Sequence, residues 1–363
     1  MAGPLRGASL DRRRQNHDRT LQCAVCTRAR AVLTVGAGLP RGLVKLAVEK
    51  GADAAELARR AGIAFADLDD QDNRISMQSY IALMRAAKEM TGDPALALHY
   101  GETVDLSEIS IAGLIMNASA TMGEAFQQMN RFGALAIEVE GAGKRFVMRA
   151  NERGLWMEDA RENPNDFPEL TEITFGRQVC APRRFLSAPH VLEVHVTHTA
   201  PSYRAEYDRI FRCPVVFDAS WNALRLHPEI TGMKVALQSH YVFGVLSEKA
   251  EQLLKELESA KTMRGRVESQ LMLILHKGDA SMDAVAASLG VSRQTLFRRL
   301  KAEDVTFEKI LDDLRHRLAL NYLAGRKASV NETAYLVGFS DPAAFSRAFK
   351  RWTGKSPSEM RRG

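Results

Sequence analysis

The chain has 363 residues, is 45% hydrophobic and 26% charged, and carries a net charge of +6. That mix excludes a disordered or collagen-like polymer, and no apolar run reaches about 18 residues, the length a membrane-spanning helix needs. Four cysteines in a chain this long do not make a disulfide framework, so a reducing, cytoplasmic setting is expected.

The charge is uneven. Residues 1–30 carry a net +5, residues 31–261 a net −6 and residues 262–363 a net +7. An acidic body with a basic last segment suggests that the last segment meets a polyanion. Residues 1–30 read as a basic, flexible arm. Leu10 to Arg19 is polar where a secretory signal would be apolar.

Residues 31–258 read as an α+β domain, helix-rich first and strand-rich later. Val32 to Arg60 has helical spacing. Ser76 to Met90 is a helix capped by Ser76, and Thr91-Gly92-Asp93-Pro94 ends it. Thr121 to Phe132 continues the helical half. Strand patterns follow at Arg145–Arg149 and Leu155–Glu158, a helix at about Phe167 to Val179, and an alternating strand at Val191–Val196. Tyr203 to Phe211 is a short helix. Val215–Phe217 and Asn222–Leu226 look like a pair of strands.

Chemical constellations in this body are weak. His190, His195 and His198 are close in sequence, but strand alternation turns His195 away from the other two, against a shared metal. Cys23-x-x-Cys26 has no second pair to complete a site. No nucleophile elbow, phosphate loop or zinc-protease motif occurs. Trp156, Phe167, Phe175 and Trp221 are expected in the core rather than around a pocket. No cofactor or metal is expected.

Lys234 to Leu257 is a long helix whose apolar side either covers its own domain's sheet, the favoured reading, or pairs with a second copy. Residues 259–266 read as the interdomain linker. Residues 267–363 then hold an internal repeat. Met282 to Lys301 resembles Val330 to Lys350 at an offset of 48 residues, then 49. Each copy reads as helix, tight turn, helix. Gly290 and Gly338 stop the first helices, Ser292 and Ser340 cap the second, and Pro342 sits in a first turn where its missing N–H costs nothing. Leu296 and Leu300, and Phe345 and Phe349, form the inner stripes. This is the helix-turn-helix signature, twice. Phe307 to Leu323 between the copies has helical spacing and would span about 25 Å.

The motifs Arg315-x-x-x-Ala319-x-x-x-Leu323, Gly338-Phe339-Ser340, Phe345 to Lys350 and Gly354-Lys355-Ser356-Pro357 strongly resemble the DNA-binding domain of AraC/XylS-type transcription regulators. The body resembles the family's "arabinose-binding type" effector domain at Thr91–Pro94, Val194–Pro201 and Tyr203–Phe217. The resemblance implies an α+β N-terminal effector domain followed by an all-α C-terminal domain with two helix-turn-helix units joined by a linker helix.

It also implies double-stranded promoter DNA and RNA polymerase as partners, with a small-molecule effector or a partner acting on the body; a homodimer would follow from pairing of the Lys234–Leu257 helix. On the outer faces of the second helices, base contact falls to Gln294, Phe297, Arg298, Ala343, Ser346 and Arg347. Arg299, Lys301, Lys350 and Arg351 suit phosphates, which position without specifying. A rival reading is a DNA-repair enzyme that uses the C-terminal domain as an accessory. It would need a nucleophilic cysteine, and only Cys23-Ala24-Val25-Cys26 comes near.

Overall fold

A computed structural model describes residues 32–141, 144–186, 188–235, 240–278, 280–324 and 328–362. The basic arm and Cys23-x-x-Cys26 lie outside the described residues. Strand β1 (Thr34–Gly36) is followed by α1 (Gly38–Glu49), α2 (Ala54–Ala61), α3 (Ala66–Asp69) and β2 (Arg74–Ser76), which pairs antiparallel with β1. Val32 to Arg60 is therefore a strand and two helices, not one helix. Gly51 takes φ +95° between α1 and α2, and Asp53 starts α2 by accepting from Glu56 N. Helices α4 (Met77–Thr91), α5 (Leu96–Thr103), α6 (Leu106–Ile109), α7 (Ile111–Ala118) and α8 (Met122–Ala136) complete the helical half. Ser76 caps α4 as its position suggested. The core of this half gathers around Tyr80, Leu83 and Met84.

The strand-rich half contains β3 (Phe146–Asn151), β4 (Gly154–Asp159), α9 (Pro168–Cys180), β5 (Val191–His195), α10 (Arg204–Phe211), β6 (Val215–Val216) and β7 (Ala223–Leu226). The sheet order is β3-β4-β7-β5-β6. The two strands after α10 are thus not neighbours. β5 lies between them, parallel to β6 and antiparallel to β7. One sheet face buries Met157, Val194 and Leu224 against Phe175 of α9 and Tyr207 and Phe211 of α10. On the other face Trp156 lies tilted against Trp221, centroids 5.2 Å apart, and Glu193 receives Arg153, Arg225 and His195 at 2.8–3.0 Å.

Helix α11 (His240–Ala260) is the long helix expected from residue 234 onward. It does not cover the sheet. Ala250, Leu246 and Leu254 pack on Ala112 and Ile115 of α7 and Phe132 of α8, because the helical half presents the complementary apolar face. Then come α12 (Met263–Ile274), α13 (Met282–Ser288), α14 (Arg293–Ala302), α15 (Phe307–Ala324), α16 (Val330–Leu336), α17 (Pro342–Thr353) and α18 (Pro357–Arg362). Of the linker expected at 259–266, only Lys261 and Thr262 are not helical. Thr262 caps α12, and Lys261 Nζ reaches Glu138 Oε1 at 2.5 Å.

Candidate nucleic-acid interface

Each C-terminal unit is built from short-range signals. Ser281 caps α13 and Ser292 caps α14 through the amides of Ala284 and Thr295. Ser329 and Glu332 form a reciprocal capping box on α16. At α17 the cap is Asp341, not Ser340. Its carboxylate accepts from Ala343 N at 2.9 Å and Ala344 N at 3.0 Å, and those amides hold its pKa below the usual carboxylate range. The reason is Pro342: proline prefers the first helical position, which moves the cap to the residue before it.

The first unit closes over Val285, Leu296, Leu300, Phe307, Ile310 and Leu314, together with α12. The second closes over Ala319, Leu323, Ala334, Val337, Phe345 and Phe349. Helix α15 therefore supplies both cores, its first half to one unit and its second half to the other. Its 18 residues span about 27 Å. Arg315, midway along it, donates to the carbonyls of Val337 at 3.1 Å and Gly338 at 2.9 Å. Its guanidinium also lies 4.5 Å from the Phe339 ring centroid. The motif spacing of Arg315 gives no sign of this hold on the second turn, which only the packing of α15 against α16 creates.

With Leu296 and Leu300 inward, α14 presents Gln294, Phe297, Arg298, Arg299 and Lys301 to solvent. Phe297 is 59% exposed, an aromatic ring set among the polar side chains of the outward face. On α17, Ala343, Arg347 and Lys350 are exposed and Ser346 is half-buried. The Ser346 hydroxyl donates back to the Pro342 carbonyl at 2.9 Å, so its remaining capacity is as an acceptor. Among the described residues, Arg298, Arg299, Lys301 and Lys350 have no ion-pair partner. Two nearby carboxylates are taken by other cations, Asp283 by Arg293 at 2.7 Å and Asp312 by Arg351 at 3.0 Å, and Glu303 accepts from the backbone amides of Met263 and Arg264. Arg347 lies 4.0 Å from Asp341, an exposed pair that solvent screens. Each second helix thus offers an outward face with uncommitted donors, and one rod carries both.

The body's histidines do not converge. His190 Nε2 lies 3.0 Å from the Gln178 carbonyl, His195 Nε2 lies 2.8 Å from Glu193, and His198 Nε2 lies 3.0 Å from the Tyr207 hydroxyl. Trp156, Phe167 and Phe175 are buried in the packed interior.

Residues 51–235 match the family model described as the arabinose-binding domain of AraC transcription regulator, N-terminal, and residues 285–363 match a helix-turn-helix domain model. The "Ornithine utilization regulator" of Pseudomonas aeruginosa is 28% identical over 330 residues, covering 88% of this chain and 94% of that protein. The "HTH-type transcriptional regulator VirS" of Mycobacterium tuberculosis is 23% identical with the same coverage. The crystal structure of the transcriptional regulator CdpR from Pseudomonas aeruginosa aligns with 22% identity and a TM-score of 0.41, covering 85% of this chain and 96% of that one.

Proposed function

Because the chain belongs to the AraC transcription regulators with the arabinose-binding type of N-terminal domain, we propose that residues 267–363 read two successive major grooves from one side of the duplex. The chain is a DNA-binding transcription regulator with an N-terminal ligand-binding domain, and not an enzyme. The observation that supports the two-groove reading is the single helix α15 buried in both cores, which holds α14 and α17 at a fixed separation. Successive major-groove faces are about 34 Å apart. Linker helix plus the radii of two flanking units is of that order.

In this reading Gln294, Phe297, Arg298, Ala343, Ser346 and Arg347 meet base edges. Arg is suited to guanine, Gln to adenine and Phe to a thymine methyl. Arg299, Lys301 and Lys350 meet phosphates. Ala343 adds fit rather than donors, so the second helix reads shape more than the first does. Residues 31–258 carry the regulatory input from a small molecule. RNA polymerase is a partner at the promoter. A homodimer forms through the outer side of α11, where Val245 is 51% exposed. The working place is the cytoplasm, where the DNA is; among the described residues no helix is long and apolar enough to cross a membrane. The test is selection of bound sequences from random DNA by the full chain, followed by footprinting. Two protected half-sites about 10 base pairs apart are expected. Protection of a single half-site would overturn the two-groove reading.

A further inference from the structure

The N-terminal body holds a cavity of about 210 Å³ bounded by α1, α4, α7, α8, α9 and β3. Its wall is mainly hydrocarbon, with Leu39, Met116, Met129, Phe146, Leu170 and Ile173 facing it. Most polar groups in the wall are already committed. Asn130 exchanges both amide hydrogen bonds with the Phe146 backbone, at 2.8 and 2.9 Å. Arg145 holds Asp159 through two nitrogens and also donates to Thr174. Glu138 accepts from Thr34 Oγ1 at 2.6 Å and pairs with Lys261.

Two polar groups in the wall are not committed. Tyr80 is fully buried and its hydroxyl has no hydrogen-bond partner. Arg177, on α9, makes no side-chain hydrogen bond or ion pair among the described residues. Arg177 is only half-buried at the wall; desolvation and repulsion from Arg145 lower its pKa to about 10, so it is still a cation at neutral pH. The one carboxylate that bears on it, Asp105, is already engaged by Arg184 at 2.7 Å and by Ser107. Arg177 also faces a smaller adjoining hollow of about 70 Å³ past Met129.

The buried phenol without a partner is costly, and a half-buried guanidinium that no protein group engages is free to take an anion whose acceptor oxygens would meet both. A guanidinium fork matches a carboxylate in two parallel hydrogen bonds. With one uncommitted cation and an otherwise apolar wall, a singly charged occupant fits and a polyanion does not. As a scale, an apolar cavity of roughly 150 Å³ takes benzene. We propose that this cavity is the effector site and takes a small, largely apolar monocarboxylate of about six to eight carbons in all, its carboxylate seated on Arg177, with Tyr80 as a further donor. The inference rests on reading the body as the ligand-binding half of a regulator. Lys261 forms part of the same wall and is one of the two residues between α11 and α12, so an occupant bears directly on the joint to the DNA-binding domain.

The test uses the full chain with hexanoate and phenylacetate as probes, against hexanamide and phenylacetamide, by calorimetry and thermal unfolding. The acids should bind and raise the melting temperature, and the amides should not. Arg177→Met should weaken acid binding at least tenfold, and Tyr80→Phe severalfold. Without any acid, Arg177→Met should melt no lower than wild type, because it breaks no hydrogen bond or ion pair within the protein; an arginine with a purely structural role would instead be missed on melting. Acids and amides acting alike, or Arg177→Met melting lower while still binding acid as wild type does, would overturn the proposal. Promoter binding by the wild-type chain is measured in parallel. If it holds while the acids fail, only the cavity inference falls; if it fails, the regulator reading falls.

Discussion

Gly338, in the turn of the second helix-turn-helix unit, lies so close to Leu275 at the end of α12 that a Cβ on residue 338 would stand 2.6 Å from the Leu275 carbonyl oxygen. The glycine is also at φ +77°. The two units therefore touch directly as well as through α15. Gly338→Ala should cost about 1–2 kcal/mol from the left-handed backbone alone, and the contact forces the units apart on top of that. Urea unfolding of the full chain measures the first effect. Footprinting measures the second, as a loss of protection at one half-site before the other.

Arg315 holds the other side of the same turn. Arg315→Met keeps the hydrocarbon stem but leaves the Val337 and Gly338 carbonyls without their donor. A loss of about 1–2 kcal/mol is expected, toward the low end for hydrogen bonds to a charged donor because the site is only half-buried. Arg315→Lys should restore little, since an ammonium lacks the planar fork that reaches both carbonyls. Thermal unfolding of the three proteins side by side checks the order.

On the reading faces, the two kinds of cation should separate in a titration. Arg298→Ala should cost about 1–3 kcal/mol on the selected site and relax the base preference there. Lys301→Ala should weaken all sequences alike and lower the slope of log affinity against log salt by about one. Anisotropy titrations at several salt concentrations distinguish them.

The DNA-binding half was largely legible because its signals are local. A repeat with glycine stops, serine caps and inward Leu or Phe pairs needs no knowledge of the rest of the chain. One slip, Ser340 for Asp341 as cap, is a single-residue shift set by Pro342; another is the expected linker, most of which is helix. The body was legible only in part. The strands of the five-stranded sheet were found, but β1 and β2 were missed, and β5 inserts between β6 and β7 through pairings that no local pattern encodes. Helix α11 was found, but whether its apolar side meets sheet or helices depends on which face the rest of the body leaves open. Arg177 carried no visible signal. A charged residue in a helix reads as its solvent face, although apolar residues on every side of α9, from Leu170 to Val179, were the clue that this helix has little solvent face to offer.

Glu172, also on α9, gives the body a pH dependence. It is 3% exposed; its Oε1 accepts from Tyr207 at 2.6 Å and Tyr203 at 2.8 Å, and its Oε2 has no partner. Burial raises its pKa from 4.5 to about 7. The folded state therefore holds this proton more tightly than the unfolded state. The stabilisation is full below the unfolded value and is lost as pH rises through about 7, a change of roughly 3 kcal/mol. Glu172→Gln keeps an acceptor for both tyrosines and removes the titration. Stability measured between pH 5 and 8 should fall more steeply in wild type than in the variant, and the variant should be the more stable at pH 8.

The central claim is that α14 and α17 read the same duplex at once. Footprints of wild type, Arg298→Ala and Arg347→Ala on one selected fragment decide it. Each variant should lose protection mainly at its own half-site, the two half-sites lying about one helical turn apart. Loss at the same half-site in both variants, or an unchanged footprint in both, would contradict it.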